Sequence, residues 1–172
     1  MSMFSGRTRI AIVGFAAAAA LALSTAGALA TVSAQSPPTC HGREATIIGT
    51  DGADSLTGTP GNDVVVLGAG SDFFDGLGGN DVVCGGDGND LLVGGPGDDL
   101  LDGEAGNDRL RGDIFTSTGD ATGNGGNDTL LCGDGNDDRA NGDNFAVDGN
   151  ASGEGGDDLI TGCEHASGDN FA

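Results

Sequence analysis

Two patterns of apolar residues run along this chain, and they predict different elements. From Ile10 to Leu29 the residues are apolar, Ala-rich and uncharged. From Gly49 onward, single large apolar residues recur every nine positions, at Leu56, Val65, Phe74, Val83, Leu92, Leu101 and Leu110. Each lies in a three-residue stretch of strand-forming character, between clusters of Gly, Asn and Asp that suit tight turns. Alternate side chains of a strand face opposite ways. The recurrent apolar residue is therefore predicted to point inward, with its two neighbours pointing out. One turn plus one strand makes half a coil, so two units close a rung and units two apart stack as parallel strands, about 4.8 Å from one another.

The register is unbroken over Gly49–Thr57, Gly58–Val66, Leu67–Asp75, Gly76–Cys84, Gly85–Val93, Gly94–Asp102 and Gly103–Arg111. Position four is always Gly (Gly52, Gly61, Gly70, Gly79, Gly88, Gly97, Gly106). Position six is always Asp (Asp54, Asp63, Asp72, Asp81, Asp90, Asp99, Asp108). Low-complexity drift would preserve composition but lose this phase. Beyond Arg111 the phase breaks. Gly112-Asp113-Ile114-Phe115 opens an insertion, and the repeat resumes at Gly126-Asn127-Asp128-Thr129-Leu130. A further unit carries Asp137, with Arg139 falling at its apolar position. A second insertion opens at Gly142-Asp143-Asn144-Phe145, and the repeat resumes at Gly156-Asp157-Asp158-Leu159-Ile160. The inserts resemble each other and read as looped-out rungs. The opening recurs at Gly168-Asp169-Asn170-Phe171, which leaves a last rung for which no cap is evident, although solenoids usually need one.

Gly85-Gly86-Asp87-Gly88-Asn89-Asp90-Leu91-Leu92-Val93 is a complete copy of Gly-Gly-x-Gly-x-Asp-x-U-x, where U is a large aliphatic residue. In this the chain, over roughly residues 45–162, resembles the RTX calcium-binding repeat family. The resemblance implies an all-β fold, a right-handed parallel β-roll or β-solenoid, with calcium ions bridging its turns. Family members usually carry the repeats beside a toxin, protease or lipase and leave the cell through a C-terminal signal. This chain has an N-terminal signal pattern instead, so those activities are not expected of it.

Composition changes the picture in one respect. Of 172 residues 35 are Gly, none is Trp or Tyr, and the formal net charge is −21. All acidic residues lie beyond position 35, with only Arg43, Arg109, Arg111 and Arg139 to oppose them. Such a segment has little apolar surface to offset a backbone entropy of roughly 1–2 kcal/mol per residue, and by composition alone it would be disordered. Stacked carboxylates repel unless a cation lies between them. Calcium suits that role, since it takes six to eight hard oxygen ligands in flexible geometry, whereas magnesium demands a rigid octahedron and keeps its water. Ions are expected between Asp54 and Asp72, Asp72 and Asp90, and Asp90 and Asp108 on one edge. On the other edge they are expected between Asp63 and Asp81 and between Asp81 and Asp99. Asp128, Asp137 and Asp158 continue the set. The plainer reading makes these Asp residues turn formers only. Asp113, Asp120, Asp143 and Asp148 are expected mainly as solvated loop charge. The charge sign excludes nucleic acid as a partner.

Arg7 and Arg9, the apolar run, and the small-x-small motifs ending at Ala30 and Ala34 read as a signal peptide over residues 1–34. An uncleaved anchor is the alternative that length permits; cleavage would leave no stable membrane span. Residues 35–48 form a linker and N-terminal cap, 49–111 the regular roll, and 112–172 the roll with two insertions. Cys40, Cys84, Cys132 and Cys163 are an even set in an exported chain, for which disulfides are expected. Of three connectivities, Cys40 with Cys84 and Cys132 with Cys163 is preferred, since the first bond would tie the cap to the roll. His41 and His165 are expected at the surface. The repeats leave no room for a catalytic domain, and the pairs Asp98-Asp99 and Asp157-Asp158 read as turn positions. The expected function is a secreted, non-catalytic calcium-binding protein. The alternative is an adhesion or partner-binding module that presents Val64, Val66, Val82, Cys84 and Leu100 to a protein or cell-surface ligand.

Overall fold

The computed structural model describes residues 36–113, 115–116, 121–122, 125–143, 145–146, 151–152 and 156–167. The N-terminal apolar run, Asp120, Asp148 and the closing segment from Gly168 lie outside the described residues. In chain order the strands are β1 (Thr39–Cys40), β2 (Arg43–Glu44), β3 (Ile47–Ile48), β4 (Ser55–Thr57), β5 (Val64–Ala69), β6 (Phe73–Asp75), β7 (Val82–Asp87), β8 (Leu91–Val93) and β9 (Leu100–Ala105). They continue as β10 (Arg109–Arg111), β11 (Phe115–Thr116), β12 (Ala121–Thr122), β13 (Thr129–Leu131), β14 (Arg139–Asn141), β15 (Phe145–Ala146), β16 (Ala151–Ser152), β17 (Leu159–Thr161) and β18 (His165–Ser167). Among the described residues no helix is long and apolar enough to cross a membrane.

The strands form a parallel β-roll of two six-stranded sheets. One runs β4-β6-β8-β10-β14-β18 and the other β3-β5-β7-β9-β13-β17. Successive units alternate between the sheets, and units two apart pair in register: Phe74 faces Leu92, and Val83 faces Leu101. The recurrent apolar residues fill the space between the sheets as one continuous core, from Leu56 through Leu110 to Leu130 and Ile160. In a chain this poor in aromatics, that column is the main apolar burial available. Phe74, Leu92 and Leu101 are fully buried.

The outward aliphatic face is not bare. Val64, Val66 and Leu100 pack with the buried Val82, Cys84 and Cys40. Cys40 lies on the short antiparallel β1–β2 hairpin and is bonded to Cys84. The hairpin thus lies over the surface that the adhesion reading needs to be open. The second disulfide joins Cys132 to Cys163. The two insertions stack on one another as well. β11 pairs with β15 and β12 with β16, both parallel, so Phe115 faces Phe145 and Ala121 faces Ala151.

Candidate metal centre

From Asp63 onward the sixth-position carboxylates are buried along both edges of the roll, while Asp54 is half-buried. Asp63, Asp72, Asp81, Asp90, Asp99, Asp108, Asp128 and Asp158 are all closed off from solvent. Each Oδ1 has a fixed partner. From Asp72 onward it accepts a hydrogen bond from the backbone N–H of the stacked Asp one rung earlier, whereas Asp63 Oδ1 accepts from Thr46 Oγ1 at 3.4 Å. The bonds measure 2.7 Å from Asp54 to Asp72, 2.8 Å from Asp72 to Asp90 and 2.9 Å from Asp90 to Asp108. On the other edge they measure 2.9 Å from Asp63 to Asp81, 2.8 Å from Asp81 to Asp99 and 2.9 Å from Asp99 to Asp128. Asp128 donates in turn to Asp158 at 3.0 Å. Position five carries a parallel ladder, in which the Asn80 N–H reaches the Asn62 side chain and the Asn107 N–H reaches Asn89.

The second oxygen is different. Oδ2 of Asp72, Asp81, Asp90, Asp99, Asp108 and Asp128 is buried and meets no donor within the protein. A buried carboxylate oxygen without a partner is costly. The first two units solve the problem locally. Thr50 donates through both N–H and Oγ1 to Asp54 Oδ2, at 2.7 and 2.8 Å. Thr59 does the same for Asp63, at 2.7 and 3.0 Å. From Asp72 onward no such Thr stands at position two.

Beside the orphaned oxygens of Asp81, Asp90, Asp99, Asp108 and Asp128 the backbone is a glycine at position one; beside Asp72 that position is Leu67. A Cβ built on Gly85 would meet Asp90 Oδ2 at 2.5 Å and the carbonyl oxygen of Gly103 at 2.9 Å. One built on Gly103 would meet Asp108 Oδ2 at 2.5 Å and the Cys132 carbonyl at 2.8 Å. Glycine at position one therefore leaves a small space in which a carboxylate oxygen and a carbonyl oxygen converge. All donors there are oxygens, which fits a hard cation such as calcium. With only protein atoms around them, burial pushes Asp81 and Asp90 up to about 6, Asp108 to about 7, Asp128 to about 8 and Asp99 to about 9, against an ordinary value of 3.8. The ladder hydrogen bond lowers each value, and the neighbouring carboxylates raise it again.

One predicted ligand is displaced. The ladder runs through Asp138, not Asp137: the Asp108 N–H donates to Asp138 Oδ1 at 2.7 Å, and Asp138 is fully buried. Asp137 is exposed and pairs instead with Arg139 at 3.3 Å. The turn between Cys132 and Arg139 holds one extra residue. Asn136 still occupies position five, its N–H bonded to Asn107, and the buried inward residue is Ala140, opposite Leu110. Counting back from the strand rather than forward from the turn finds Asp138. The repeat pattern also gives no sign of Glu164, which closes this column by accepting from the Asp138 N–H at 2.9 Å. Asp98 and Asp157 sit on the position-five ladder beside Asn127, as turn residues do.

Cys40, His41 and Cys84 lie close together, but both thiols are spent in the disulfide. His41 is exposed and its Nε2 lies 2.9 Å from Asp102; His165 is exposed too.

A family model described as RTX calcium-binding nonapeptide repeat (4 copies) matches residues 48–83, 85–118 and 121–138. No curated protein and no solved structure matches.

Proposed function

The chain belongs to the RTX calcium-binding nonapeptide repeat family, whose repeats bind several calcium ions, and from that premise we propose that it is an extracellular, non-catalytic calcium-binding protein that folds upon its ions. One observation carries the reading: from Asp72 to Asp128, each ladder carboxylate spends one oxygen on the neighbouring rung and buries the other without a donor. Asp72, Asp81, Asp90, Asp99, Asp108, Asp128, Asp138 and Asp158 would hold the ions, together with carbonyls of the adjoining turns. Asp54 and Asp63 belong to the same columns, with Thr50 and Thr59 already satisfying one oxygen of each.

Bound calcium supplies positive charge and oxygen coordination to carboxylates that repel one another. The ladder bonds hold each carboxylate rigidly in its rung, and the position-one glycines leave the adjoining carbonyls open. Because the unfolded chain has no such arrangement, metal-binding free energy is folding free energy. Extracellular calcium modules bind with Kd of about 10⁻⁴–10⁻³ M. An exported location, with a signal peptide over residues 1–34, agrees with two disulfides, which persist in oxidising compartments. The partner-binding alternative loses its motive, since the aliphatic face lies beneath the Cys40 hairpin.

Far-UV circular dichroism of the mature chain tests the reading. Excess chelator should abolish the β spectrum and millimolar calcium should restore it. A spectrum indifferent to both would overturn the proposal.

A further inference from the structure

The insertions carry a buried carboxylate outside the repeating columns. Asp113 follows the position-one Gly112 and so stands at position two of its unit. It is buried like the ladder Asp residues, at 1% exposure. Oδ1 accepts a long hydrogen bond, 3.2 Å, from the Gly126 N–H. Oδ2 has no donor within the protein. The Asp113 N–H donates to the Gly142 carbonyl at 3.0 Å, which anchors the residue to the next rung.

Other carboxylates lie near enough to act on Asp113 or be acted on by it. A Cβ on Gly112 would collide with the Asp128 carboxylate, and one on Gly125 with that of Asp113, so both groups press on bare backbone at the mouth of the first insert. Asp128 Oδ2 is likewise buried without a donor. Asp143 opens the second insert at the equivalent place, since β11 and β15 pair with Phe115 opposite Phe145. After burial, the charges acting on Asp113 are the carboxylates of Asp158 and Asp143, both of which oppose its ionisation.

We infer that Asp113, beside the column carboxylate Asp128, provides an additional divalent-cation site at the base of the insertions, set by a residue outside the sixth-position columns. Its donors are oxygens alone, so calcium is the expected ion. The ion would tie the point where the chain leaves the roll, at Asp113, to the point where it returns, at Gly126–Asp128. The insertions are thereby held to the roll by a ligand that the nonapeptide consensus does not contain. The inference rests on the calcium-dependent reading of the roll.

Calcium stoichiometry of the mature chain, measured by equilibrium dialysis at saturation, tests it against two variants. Asp113→Asn keeps an acceptor for the Gly126 N–H and removes the charge, and it should bind one ion fewer with an unchanged far-UV spectrum. Asp90→Asn reports on the ladder sites in parallel. A loss at Asp90→Asn with full stoichiometry at Asp113→Asn would sink this site alone, and a wild-type chain that binds no calcium would sink both readings. Should Asp113→Asn fail to fold, a crystal of the wild-type chain grown with calcium decides. An anomalous peak about 2.3–2.6 Å from Asp113 Oδ2 supports the site. Occupied ladder sites without that peak overturn it.

Discussion

Asp90 Oδ1 accepts the backbone N–H of Asp72, 18 residues earlier in the chain, at 2.8 Å. The same side chain is buried, and its Oδ2 has no donor. One residue therefore holds two rungs together and places a charge that a cation or a proton must compensate. Substitutions can separate those roles. Asp90→Asn keeps the ladder acceptor and removes the charge. It should raise the calcium midpoint of folding roughly tenfold, about 1.4 kcal/mol, while making the chelated chain easier to fold. Asp90→Ala also strands the Asp72 N–H, at a further cost of about 1–3 kcal/mol. Calcium titrations followed by circular dichroism should rank the midpoints wild type, Asn, Ala; equal midpoints for Asn and Ala would show that the ladder bond contributes nothing.

Protons and calcium compensate the same buried carboxylates, so the pH dependence of folding is largest without calcium. Burial raises Asp81, Asp90, Asp108, Asp128 and Asp99 to between about 6 and about 9. In the unfolded chain they titrate near 3.8. Between those limits the folded state binds more protons than the unfolded state, so without calcium the stability of the roll falls as pH rises. The chelated chain should gain β signal as pH is lowered from about 9 toward 4, with no further gain below. Calcium competes with those protons, so its apparent affinity for the folded roll should weaken over the same interval, while the calcium needed to fold the chain should fall because protonation already stabilises the roll. A chelated chain that gained structure on alkalinisation would contradict the burial of these groups.

Glycine matters at specific positions rather than as composition. Gly88 has φ +143°, and a Cβ there would collide with the Gly70 carbonyl on the stacked turn. Gly52, at the same position of the first unit, has nothing within 4 Å of its Cβ direction. Gly88→Ala should cost about 1–3 kcal/mol from overpacking and about 1–2 kcal/mol from the backbone conformation. Gly52→Ala should be nearly neutral. Thermal melts at saturating calcium compare the two, and equal melting temperatures would refute the close stacking of the turns.

Much of this architecture is legible in the sequence. The inward column shows there because a parallel strand pair repeats its side-chain direction, so Phe74 and Leu92 fall at one phase. Asp54 through Asp108 are equally plain. The register is pinned from the strand side, however, where packing is tight, and a turn can absorb an extra residue at little cost. Strict counting from Cys132 therefore lands on Asp137, while the buried Ala140 places Asp138 on the ladder. Asp113 has the sequence surroundings of a loop charge because its burial depends on Gly125 and Gly142, which come from the far side of an insertion and from the next rung. The covering of Val82 and Leu100 by the Cys40 hairpin is likewise a tertiary fact, with no period to announce it. The preferred disulfide pairing agrees with the bonds observed, Cys40–Cys84 and Cys132–Cys163.

The Cys40–Cys84 bond spans 44 residues and fastens the β1–β2 hairpin over Val64, Val66 and Leu100. Closing a loop of that length limits the unfolded chain, and its loss should cost roughly 2–4 kcal/mol. The Cys40→Ser/Cys84→Ser double variant should therefore need more calcium to fold and melt lower at saturation. It should also release the hairpin, because a two-stranded hairpin this short has little stability of its own. Lifting it uncovers a contiguous aliphatic face on the sheet, and such faces promote association. The variant should self-associate with calcium present, whereas the wild-type chain should elute at one position across concentrations. Size-exclusion chromatography at several concentrations measures this directly. A variant that melts lower yet stays monomeric would show that the remaining contacts suffice to hold the hairpin on the roll. An unchanged melt would mean that the bond fastens nothing the calcium-loaded roll does not already hold.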